Sequence, residues 1–249
     1  MLPAIAFCPS PPLLMPELAA GAAAELDPLR TACREAVRRL LATGPDEVVV
    51  IATGPMSSQF PAGTTGSLAG YGVPVTATLP RPPARPASGG KVPRRLRYST
   101  GPVGAVAAAV PLGVTLGAWL LTGADVPCSA FSVAPDADPA WFGAGLDRAG
   151  ERRALLVMGD GSARRSERAP GYVDPRAAAF DAAVAAALGS GDAPALAALD
   201  PALGADLLAG GVPAWRVAGH AATGPYDAEL LHDAAPYGVG YLVATWLAP

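Results

Sequence analysis

Three short apolar runs constrain the fold of this 249-residue chain more than any other feature. They occupy residues 4–7, 48–52 and 154–158, and each ends at residues rich in proline or glycine. Apolar runs of this length without alternation are typical of strands buried on both faces. Between the first two runs, residues 17–43 carry apolar side chains at helical spacing. This order predicts a right-handed βαβ unit in a mostly parallel sheet with helices on both faces, a three-layer α/β fold.

The remaining elements are predicted from the same periodicities. Further strands are expected over residues 126–133, 212–218 and 238–246, and helices over residues 139–150, 176–188 and 193–209, the last interrupted at Pro201. Half of the residues are hydrophobic, which is enough to bury the core of a single α/β domain spanning residues 1–249.

Composition narrows the classes of function. The net charge of −3 gives no sign of the strongly basic face that nucleic-acid binding requires, so no nucleic-acid partner is expected. Cys8, Cys33 and Cys128 are widely spaced, which predicts neither a disulfide framework nor a CxxC metal site. The N-terminal run has no basic residues before it and is broken by prolines, unlike a signal peptide. These observations predict a cytoplasmic protein.

Two further stretches bear on whether the protein binds a membrane or an acidic partner. Residues 101–124 contain no charged side chain and are long enough to span a bilayer, but Pro111 and several glycines divide them. We therefore predict two buried core strands there and no membrane partner. Residues 80–101 are rich in proline and arginine, which predicts an exposed loop. That loop is either a solvated face or a docking patch for an acidic partner.

Polar chemistry is concentrated after the third apolar run. A turn at Gly159, Asp160 and Gly161 precedes Ser162 and several arginines, and a helix is predicted to begin near residue 175. Glycines, hydroxyls and guanidinium groups at the end of a buried strand are the ingredients of an anion pocket. The alternative is a solvated loop whose arginines pair with nearby acidic residues, namely Asp160, Glu167 and Asp174.

Three passages carry a resemblance to a known family. They are AIAFCPSPPLLMPEL near the start, LLVMGDGSARRSERAPGYVDPRAAAFD in the centre and ELLHDAAPYGVGYLVATW at the end. Together they resemble class III extradiol ring-cleavage dioxygenases, and more narrowly an actinobacterial branch similar to the catalytic B subunit, called LigB-like. The resemblance implies one α/β domain with a pocket at the strand ends. In active members it implies Fe(II) held by two histidines and a carboxylate, a further histidine as acid or base, and cleavage of a catechol ring with O₂.

This chain departs from that pattern at three strand ends. Where the family has histidines, the loop after the first strand has Ser10, the loop TGPMSSQF has Ser57 and Ser58, and the turn GDGSARR has Ser162 and Arg164. Serine hydroxyls are poor ligands of Fe(II), and a guanidinium repels it. The leading hypothesis is therefore a protein with a degenerate metal site and no cofactor, which binds a small anionic or aromatic molecule.

Two other hypotheses stay open. The chain has only two histidines, His220 and His232, and these with Glu229 are the candidate ligands for an active iron-dependent dioxygenase. The other hypothesis is a non-catalytic interaction subunit, because B-type subunits of this family pair with a small partner subunit or form homo-oligomers. Serine hydrolysis is less well supported, since the GxSxG pattern is absent.

The leading hypothesis assigns a role to each polar residue near the strand ends, where sites are expected in parallel sheets. The catalytic candidates are Ser162, Asp160 and His232. The ligand-binding candidates are Ser10, Ser57, Ser58, Arg164, Arg165 and Tyr237. Hydroxyl and guanidinium groups suit a carboxylate, phosphate or phenolate, because a guanidinium binds two oxygens at once.

Overall fold

The structure is a computed structural model that describes residues 1–81, 109–146 and 150–249. Its strands are β1 (Ala4–Cys8), β2 (Glu47–Thr53), β3 (Ser58–Phe60), β4 (Thr65–Ser67), β5 (Thr76–Thr78), β6 (Cys128–Val133), β7 (Arg153–Met158), β8 (Asp227–Ala234) and β9 (Tyr241–Leu247). Its α-helices are α1 (Pro16–Ala19), α2 (Asp27–Ala42), α3 (Leu112–Leu120), α4 (Pro139–Ala144), α5 (Arg176–Ser190), α6 (Ala193–Ala197), α7 (Pro201–Asp206) and α8 (Val212–Ala221). Short 3₁₀ segments occupy Pro12–Leu14, Ala20–Leu26 and Ala69–Tyr71.

A seven-stranded sheet organises the molecule, with the strand order β3-β6-β2-β7-β1-β9-β8. The four central strands, β6, β2, β7 and β1, run parallel, and β3, β9 and β8 are antiparallel to their neighbours. Strands β4 and β5 form a separate pair. The carboxyl ends of the parallel strands therefore share one edge of the sheet, and the loops after β1, β2 and β7 meet there.

Helices cover both faces of this sheet, as predicted. Along β2, Val48 and Val50 pack in the same apolar cluster as α2 and α3, whereas Val49 and Ile51 pack with α5, α6 and α8. Successive side chains of a strand point to opposite faces, so burial on both faces requires the unbroken apolar run. The three-layer α/β fold is confirmed.

Arg30 fixes the loop after β1 to α2. Its guanidinium is only 2% exposed and donates to the carbonyl oxygens of Leu14 at 2.8 Å and Leu13 at 3.2 Å. The same group contacts Asp27, which supplies the charge that a buried cation needs. Residues 11–14 are thus held in place by a charge-assisted network and not by proline geometry alone.

Several predicted elements are confirmed. Strands at residues 4–7, 48–52, 126–133 and 154–158 match β1, β2, β6 and β7, and the segment 193–209 forms two short helices that separate before Pro201. The segment 17–43 is helical but divides into the end of α1, a 3₁₀ stretch at Ala20–Leu26, and α2 from Asp27. Helix α4 ends at Ala144 and α5 begins at Arg176.

Two strand predictions are wrong. Residues 212–218 belong to α8, because Val212, Trp215 and Ala218 are buried at helical spacing. Residues 112–120 form α3, where six consecutive residues from Gly113 are buried. A helix that is apolar on all sides shows no periodicity, so its pattern cannot be told from a buried strand.

The C-terminal part also differs in detail. The last strand begins at Tyr241 and not at residue 238, because residues 238–240 hydrogen-bond to the loop after β7 and not to a strand of the sheet. Strand β8, at the edge of the sheet, was not predicted. Its sequence DAELLHDA is only partly buried and carries a register irregularity between Leu230 and His232, which disturbs the alternation that marks a strand.

Some predictions concern residues that the structure does not describe. Most of the loop at 80–101 and the first part of the segment 101–124 fall within residues 82–108, outside the described residues. The same holds for residues 147–149 of the helix predicted at 139–150. Across the ranges that are described, no helix is both long enough and apolar enough to cross a membrane.

Candidate functional site

A cleft of about 360 Å³ opens where the loops after β1 and β7 meet the start of β9. Its lining comes from residues 11–13, the loop after β7, the α7–α8 connection and the turn before β9. The side chains that matter most for its chemistry are Asp160, Arg168, Leu208, Tyr237, Val239 and Tyr241. We call the end with the half-buried Asp160 and the buried Tyr241 the floor, and the exposed end with Arg168 and Pro170 the mouth.

Backbone hydrogen bonds position Asp160 at the floor. The preceding Gly159 donates to the carbonyl oxygen of Cys8 at 2.9 Å, which extends the pairing of β7 with β1. The N–H of Ser10 donates to Oδ1 of the Asp160 side chain at 2.6 Å. The N–H of Gly211 donates to the backbone carbonyl oxygen of Asp160 at 2.8 Å. Asp160 is therefore held from three directions by the strand ends and the α7–α8 connection.

A glycine is required at position 159. An added Cβ there would lie 2.4 Å from Cα of Gly211, closer than such atoms approach in proteins. The two backbones can touch only because both residues lack a side chain. The close contact brings the α7–α8 connection against the end of β7 and closes one side of the cleft.

Burial controls the charge state of the floor. Loss of solvation raises the pKa of Asp160 to about 7, against the opposing effect of the Ser10 N–H. Burial also raises the pKa of Tyr241, and the negative charge of Asp160 raises it further, so Tyr241 stays protonated near neutral pH. The floor therefore presents a neutral phenol beside a carboxyl group that gains or loses its proton near neutral pH.

The central and last of the three passages that carry the family resemblance bind each other directly. The N–H of Gly161 donates to the carbonyl oxygen of Gly240 at 2.7 Å. The N–H of Gly240 in turn donates to the carbonyl oxygen of Ser162 at 2.9 Å. A third bond runs from the N–H of Arg165 to the carbonyl oxygen of Gly238 at 3.0 Å. This ladder places Tyr237 and Tyr241 beside Asp160, although they are about 80 residues apart in the chain.

A buried carboxylate from α5 supports the ladder from behind. Asp181 is 1% exposed, and its Oδ1 accepts the N–H of Ser162 at 2.8 Å. Nη1 of Arg165 lies 3.5 Å from Oδ2, a distance at which the pair is held mainly by charge. Burial raises the pKa of Asp181, while the Ser162 N–H and Arg165 lower it. Asp181 was not predicted, although it is the only acidic residue in an alanine-rich helix.

The structure gives Ser162 a different role from the predicted catalytic one. Its side chain is fully buried, and its hydroxyl donates to the carbonyl oxygen of Leu207 at 2.9 Å while accepting the N–H of Arg164 at 3.1 Å. These bonds use the hydroxyl within the protein and hold the loop after β7 to α7. Ser162 does not line the cleft.

The neighbouring side chains of Arg164 and Arg165 also lie within the protein structure and not in the cleft. Arg165 pairs with Asp181, and Nε of Arg164 is buried with no hydrogen-bond partner in the described part of the chain. Neither side chain lines the cleft. Of the acidic residues expected to pair with this loop, Asp174 binds Arg176 at 2.8 Å and Asp160 accepts a backbone N–H. The ion pairs of this loop are therefore made with α5, and no described arginine of the loop pairs with Asp160, Glu167 or Asp174 as the alternative predicted.

The predicted serines are divided between two places. Ser10 lies next to the floor through its backbone N–H. Ser57 caps the end of β6, because its hydroxyl accepts the N–H of Ala134 at 3.1 Å. Ser58 lies in β3, opposite Ser132 of β6. The sheet order separates β3 and β6 from β1 and β7 by β2. Ser57 and Ser58 therefore do not line the cleft, whereas the predicted Tyr237 does.

His232 is likewise outside the cleft. It lies in the edge strand β8, opposite Val243 of β9. Burial lowers its pKa, and the nearby carboxylate of Asp233 partly opposes that effect. Its predicted role as a proton-transfer group at the strand ends does not fit this position.

The alternative iron ligands are not assembled. His220 lies at the end of α8 against Gly143, in the layer on one face of the sheet. Glu229 forms an ion pair with Arg39 of α2, in the layer on the other face. Within residues 1–81, 109–146 and 150–249, no group of three histidine, cysteine or acidic side chains is arranged to hold a metal ion.

The strand ends themselves do not fit the iron site of the family. The first four residues after β1, β2 and β7 supply one carboxylate, Asp160, and the hydroxyl-bearing residues Ser10, Ser57 and Ser162, with no imidazole. A two-histidine, one-carboxylate site needs imidazole nitrogens at fixed geometry around open positions. This donor set does not offer them.

Two polar residues of the cleft were not predicted from the sequence. Arg168 and Tyr241 lie within the passages that carry the resemblance, but the polar density of GDGSARR favoured Ser162 and Arg164 as site residues. A signal was available for Tyr241, since it is the first residue of a strand that follows a glycine-rich turn and so lies at the strand end.

Comparisons with known proteins agree with the fold. No protein-family model matches the chain, and no curated protein matches it. It is similar to the crystal structure of an uncharacterized protein from Escherichia coli K12, JW3007. The two are 13% identical with a TM-score of 0.50, and the match covers 98% of this chain and 99% of the other. A likeness at this identity concerns the fold alone.

Proposed function

We propose that the cleft binds a small aromatic molecule that carries an anionic group, and that it does so without Fe(II). The observation that supports this most strongly is the composition of the cleft, where Arg168 lies at the mouth and Asp160 at the floor between apolar and aromatic walls. Binding sites for small molecules are mostly apolar, with a few polar groups that fix orientation. This arrangement fits that description.

Size and wall chemistry favour a single ring. The volume of about 360 Å³ is at the small end of the range for ligand sites. Leu208 and Val239 offer aliphatic contacts, and the rings of Tyr237 and Tyr241 offer aromatic ones. Burial of one ring against these walls is worth about 1.5–3 kcal/mol by apolar area.

Arg168 is the group best placed to bind the anion. Its side chain is exposed, and its guanidinium makes no ion pair with any residue in the described ranges, unlike that of Arg165 or Arg176. A guanidinium presents two parallel donors that match a carboxylate or phosphate. The ligand would thus place its anion at the mouth and its ring toward the floor.

The relation to extradiol dioxygenases is part of the same proposal. The chain would be a LigB-like protein whose strand ends no longer carry the histidines for iron, so the pocket position remains while the metal chemistry is lost. Ser10 and Asp160 meet at that position through a 2.6 Å hydrogen bond. Three buried free cysteines also support a reducing compartment such as the cytoplasm.

Titration calorimetry on protein treated with a chelator tests the proposal. Benzoate should bind at one site per chain, and Arg168→Gln should weaken it about tenfold, which is about 1.4 kcal/mol. Benzamide, the neutral isostere, should bind both proteins equally. Arg34→Gln, an exposed arginine on α2, should change neither affinity.

Any other result of the calorimetry would contradict a specific part of the binding proposal. Equal benzoate affinity in the Arg168→Gln variant would overturn the assignment of the anion to the mouth. Absence of benzoate binding, or binding that requires added Fe(II), would overturn the proposal as a whole.

A further inference from the structure

The floor of the cleft offers two polar groups that the fold does not use. Oδ1 of Asp160 accepts the Ser10 N–H, but Oδ2 accepts no hydrogen bond from the residues that the structure describes. Tyr241 is only 3% exposed, lines the cleft, and its hydroxyl likewise makes no hydrogen bond to a described residue. Neither oxygen is among the sealed side-chain atoms that lack a partner in the described residues, so both are open to the cleft and can bind a molecule there.

The two groups are held close to each other. Gly161 follows Asp160 and Gly240 precedes Tyr241, and these two glycines are joined by the 2.7 Å hydrogen bond of the ladder. Asp160 and Tyr241 both line the cleft, so they face a common space. Their positions therefore depend on backbone contacts and not on mobile side chains.

Removal of a proton from the carbon next to a carbonyl group needs a base and a hydrogen-bond donor. A carboxylate beside a neutral phenol in an apolar cleft provides both. The carboxylate removes a proton from carbon, and the phenol donates a hydrogen bond to the oxygen on which negative charge develops. Neither step needs a metal or a redox cofactor. A carboxyl group whose proton affinity is matched to the operating pH is the more effective base.

We propose that this cleft catalyses keto–enol isomerisation of a single-ring, anionic carbonyl compound, with Asp160 as the base and Tyr241 as the donor to the carbonyl oxygen. This inference rests on the proposed function, because it requires that such a molecule binds with its anion at Arg168. It extends that function from binding to a reaction class.

The step is balanced within the site. The C–H bond next to the carbonyl breaks, and its proton moves to Oδ2 of Asp160. The electron pair forms a carbon–carbon double bond, and the carbonyl electrons move to oxygen, where the hydroxyl of Tyr241 stabilises them. Asp160 then returns the proton to that oxygen or to a carbon of the enolate, so nothing is oxidised or reduced.

The other charged groups around the floor are compatible with this role. Tyr237 donates its hydroxyl to Glu25 at 2.9 Å, so that acid is engaged at the edge of the cleft. Arg168 is at the mouth, where it would bind the anion of the substrate. Asp160 is thus the carboxyl group of the cleft with an oxygen left to accept a proton, among the residues described.

Phenylpyruvate is a suitable probe, because it has one ring, a carboxylate and an exchangeable methylene next to a carbonyl. In D₂O, chelator-treated protein should accelerate loss of the methylene signal in proton NMR above the rate in buffer. Asp160→Asn should reduce the protein-dependent rate by about 100-fold or more, and Tyr241→Phe by about tenfold to 100-fold. Tyr71→Phe and Asp206→Asn, both exposed and outside the cleft, serve as matched controls and should retain the full rate.

Calorimetry with phenylpyruvate on the same samples separates the two proposals. Binding without accelerated exchange would overturn the isomerisation while leaving the proposed function intact, whereas no binding would overturn both. Exchange that persists in the Asp160→Asn variant would remove Asp160 as the base. Tyr241→Phe removes one oxygen atom and keeps the ring in the core, so it provides a test if the Asp160 variant does not fold.

Discussion

At the scale of single residues, Asp160 combines a structural and a chemical role. One of its oxygens anchors the loop after β1 through Ser10, while burial raises its pKa to about 7. If the pKa of a carboxyl group in the folded protein lies above its ordinary value of 3.8, the ionised group destabilises the folded state. The site therefore carries a cost in stability that depends on pH, as is common where a group is prepared for function.

The first prediction concerns this pH dependence. The destabilisation from Asp160 should be absent below about pH 4, grow up to about pH 7 and stay constant above it, because the folded state resists ionisation over that interval. Asp160→Asn keeps an acceptor for the Ser10 N–H and removes the charge. Thermal unfolding should show little difference from the parent at pH 4 and a more stable variant at pH 8, by at most about 4 kcal/mol. Asp206→Asn is the exposed control, and a difference that does not vary with pH would contradict the account.

The second prediction separates structure from catalysis at Ser162. Ser162→Ala should destabilise the fold by about 1–2 kcal/mol, because the carbonyl of Leu207 and the N–H of Arg164 lose their partner in a buried environment. Benzoate affinity should be unchanged. Ser190→Ala, which removes an exposed hydroxyl at the end of α5, should change stability much less. A stable Ser162→Ala variant that loses ligand binding would restore the predicted role of this serine in the cleft.

At the scale of elements, the site depends on the ladder between the loop after β7 and the turn before β9. Gly161 and Gly240 can approach Asp181 only because they lack side chains, since an added Cβ would lie 2.7 Å from Oδ1 and 2.3 Å from Oδ2 respectively. The buried carboxylate of α5 thus requires glycine on both sides of the ladder.

The third prediction tests that requirement. Gly240→Ala should destabilise the protein by about 1–3 kcal/mol, because the new methyl group collides with the Asp181 carboxylate. The effect should be smaller in the presence of Asp181→Ala, which removes the colliding group. Gly70→Ala, where nothing lies within 4 Å of the new methyl, is the control for backbone effects. Chemical denaturation gives the free energy of unfolding of Gly240→Ala, Asp181→Ala, the double variant and Gly70→Ala. Equal losses of stability in Gly240→Ala and Gly70→Ala would contradict the proposed collision with Asp181.

The elements differ in how far the sequence could predict them. Strands β1, β2, β6 and β7 were predictable, since burial on both faces leaves an unbroken apolar run. Helix α3 was not, because it is buried on nearly all sides and its glycines fit against Ala52 and Val50 of the sheet. Such tertiary contacts remove the periodicity that marks a helix.

The candidate site was predictable to a similar extent. The position at the strand ends, Asp160 and Tyr237 follow from the parallel sheet and the glycine turn. The burial of Ser162 could not be predicted, because it depends on Asp181 in α5 and on Leu207 at the end of α7. The separation of Ser57 from the cleft depends on the order of strands in the sheet, which local patterns do not determine.

At the scale of the whole molecule, helices cover both faces of the sheet, and the cysteines lie inside. Cys8, Cys33 and Cys128 are each at most 1% exposed. A neighbouring thiol and burial raise the pKa of Cys8, and burial raises that of Cys128 to about 12. Because the thiolate is the reactive form, these groups should be inert in the folded protein.

The fourth prediction follows from this burial. A thiol reagent such as 5,5′-dithiobis(2-nitrobenzoate) should label none of the three cysteines in the native protein at pH 8 and all three in guanidinium chloride. The absorbance of the released thiolate gives the count directly. Rapid labelling of a native thiol would show that a layer of helices opens, and would contradict the sealed core.

Ligand mapping by NMR tests the central claim most directly. Backbone amide spectra of chelator-treated protein would be recorded while benzoate is added. We predict that the signals that shift belong to the cleft, above all those of Asp160, Ala163, Leu208 and Val239, with no need for Fe(II). Shifts that lie elsewhere in the molecule, or that appear only when Fe(II) is present, would contradict it.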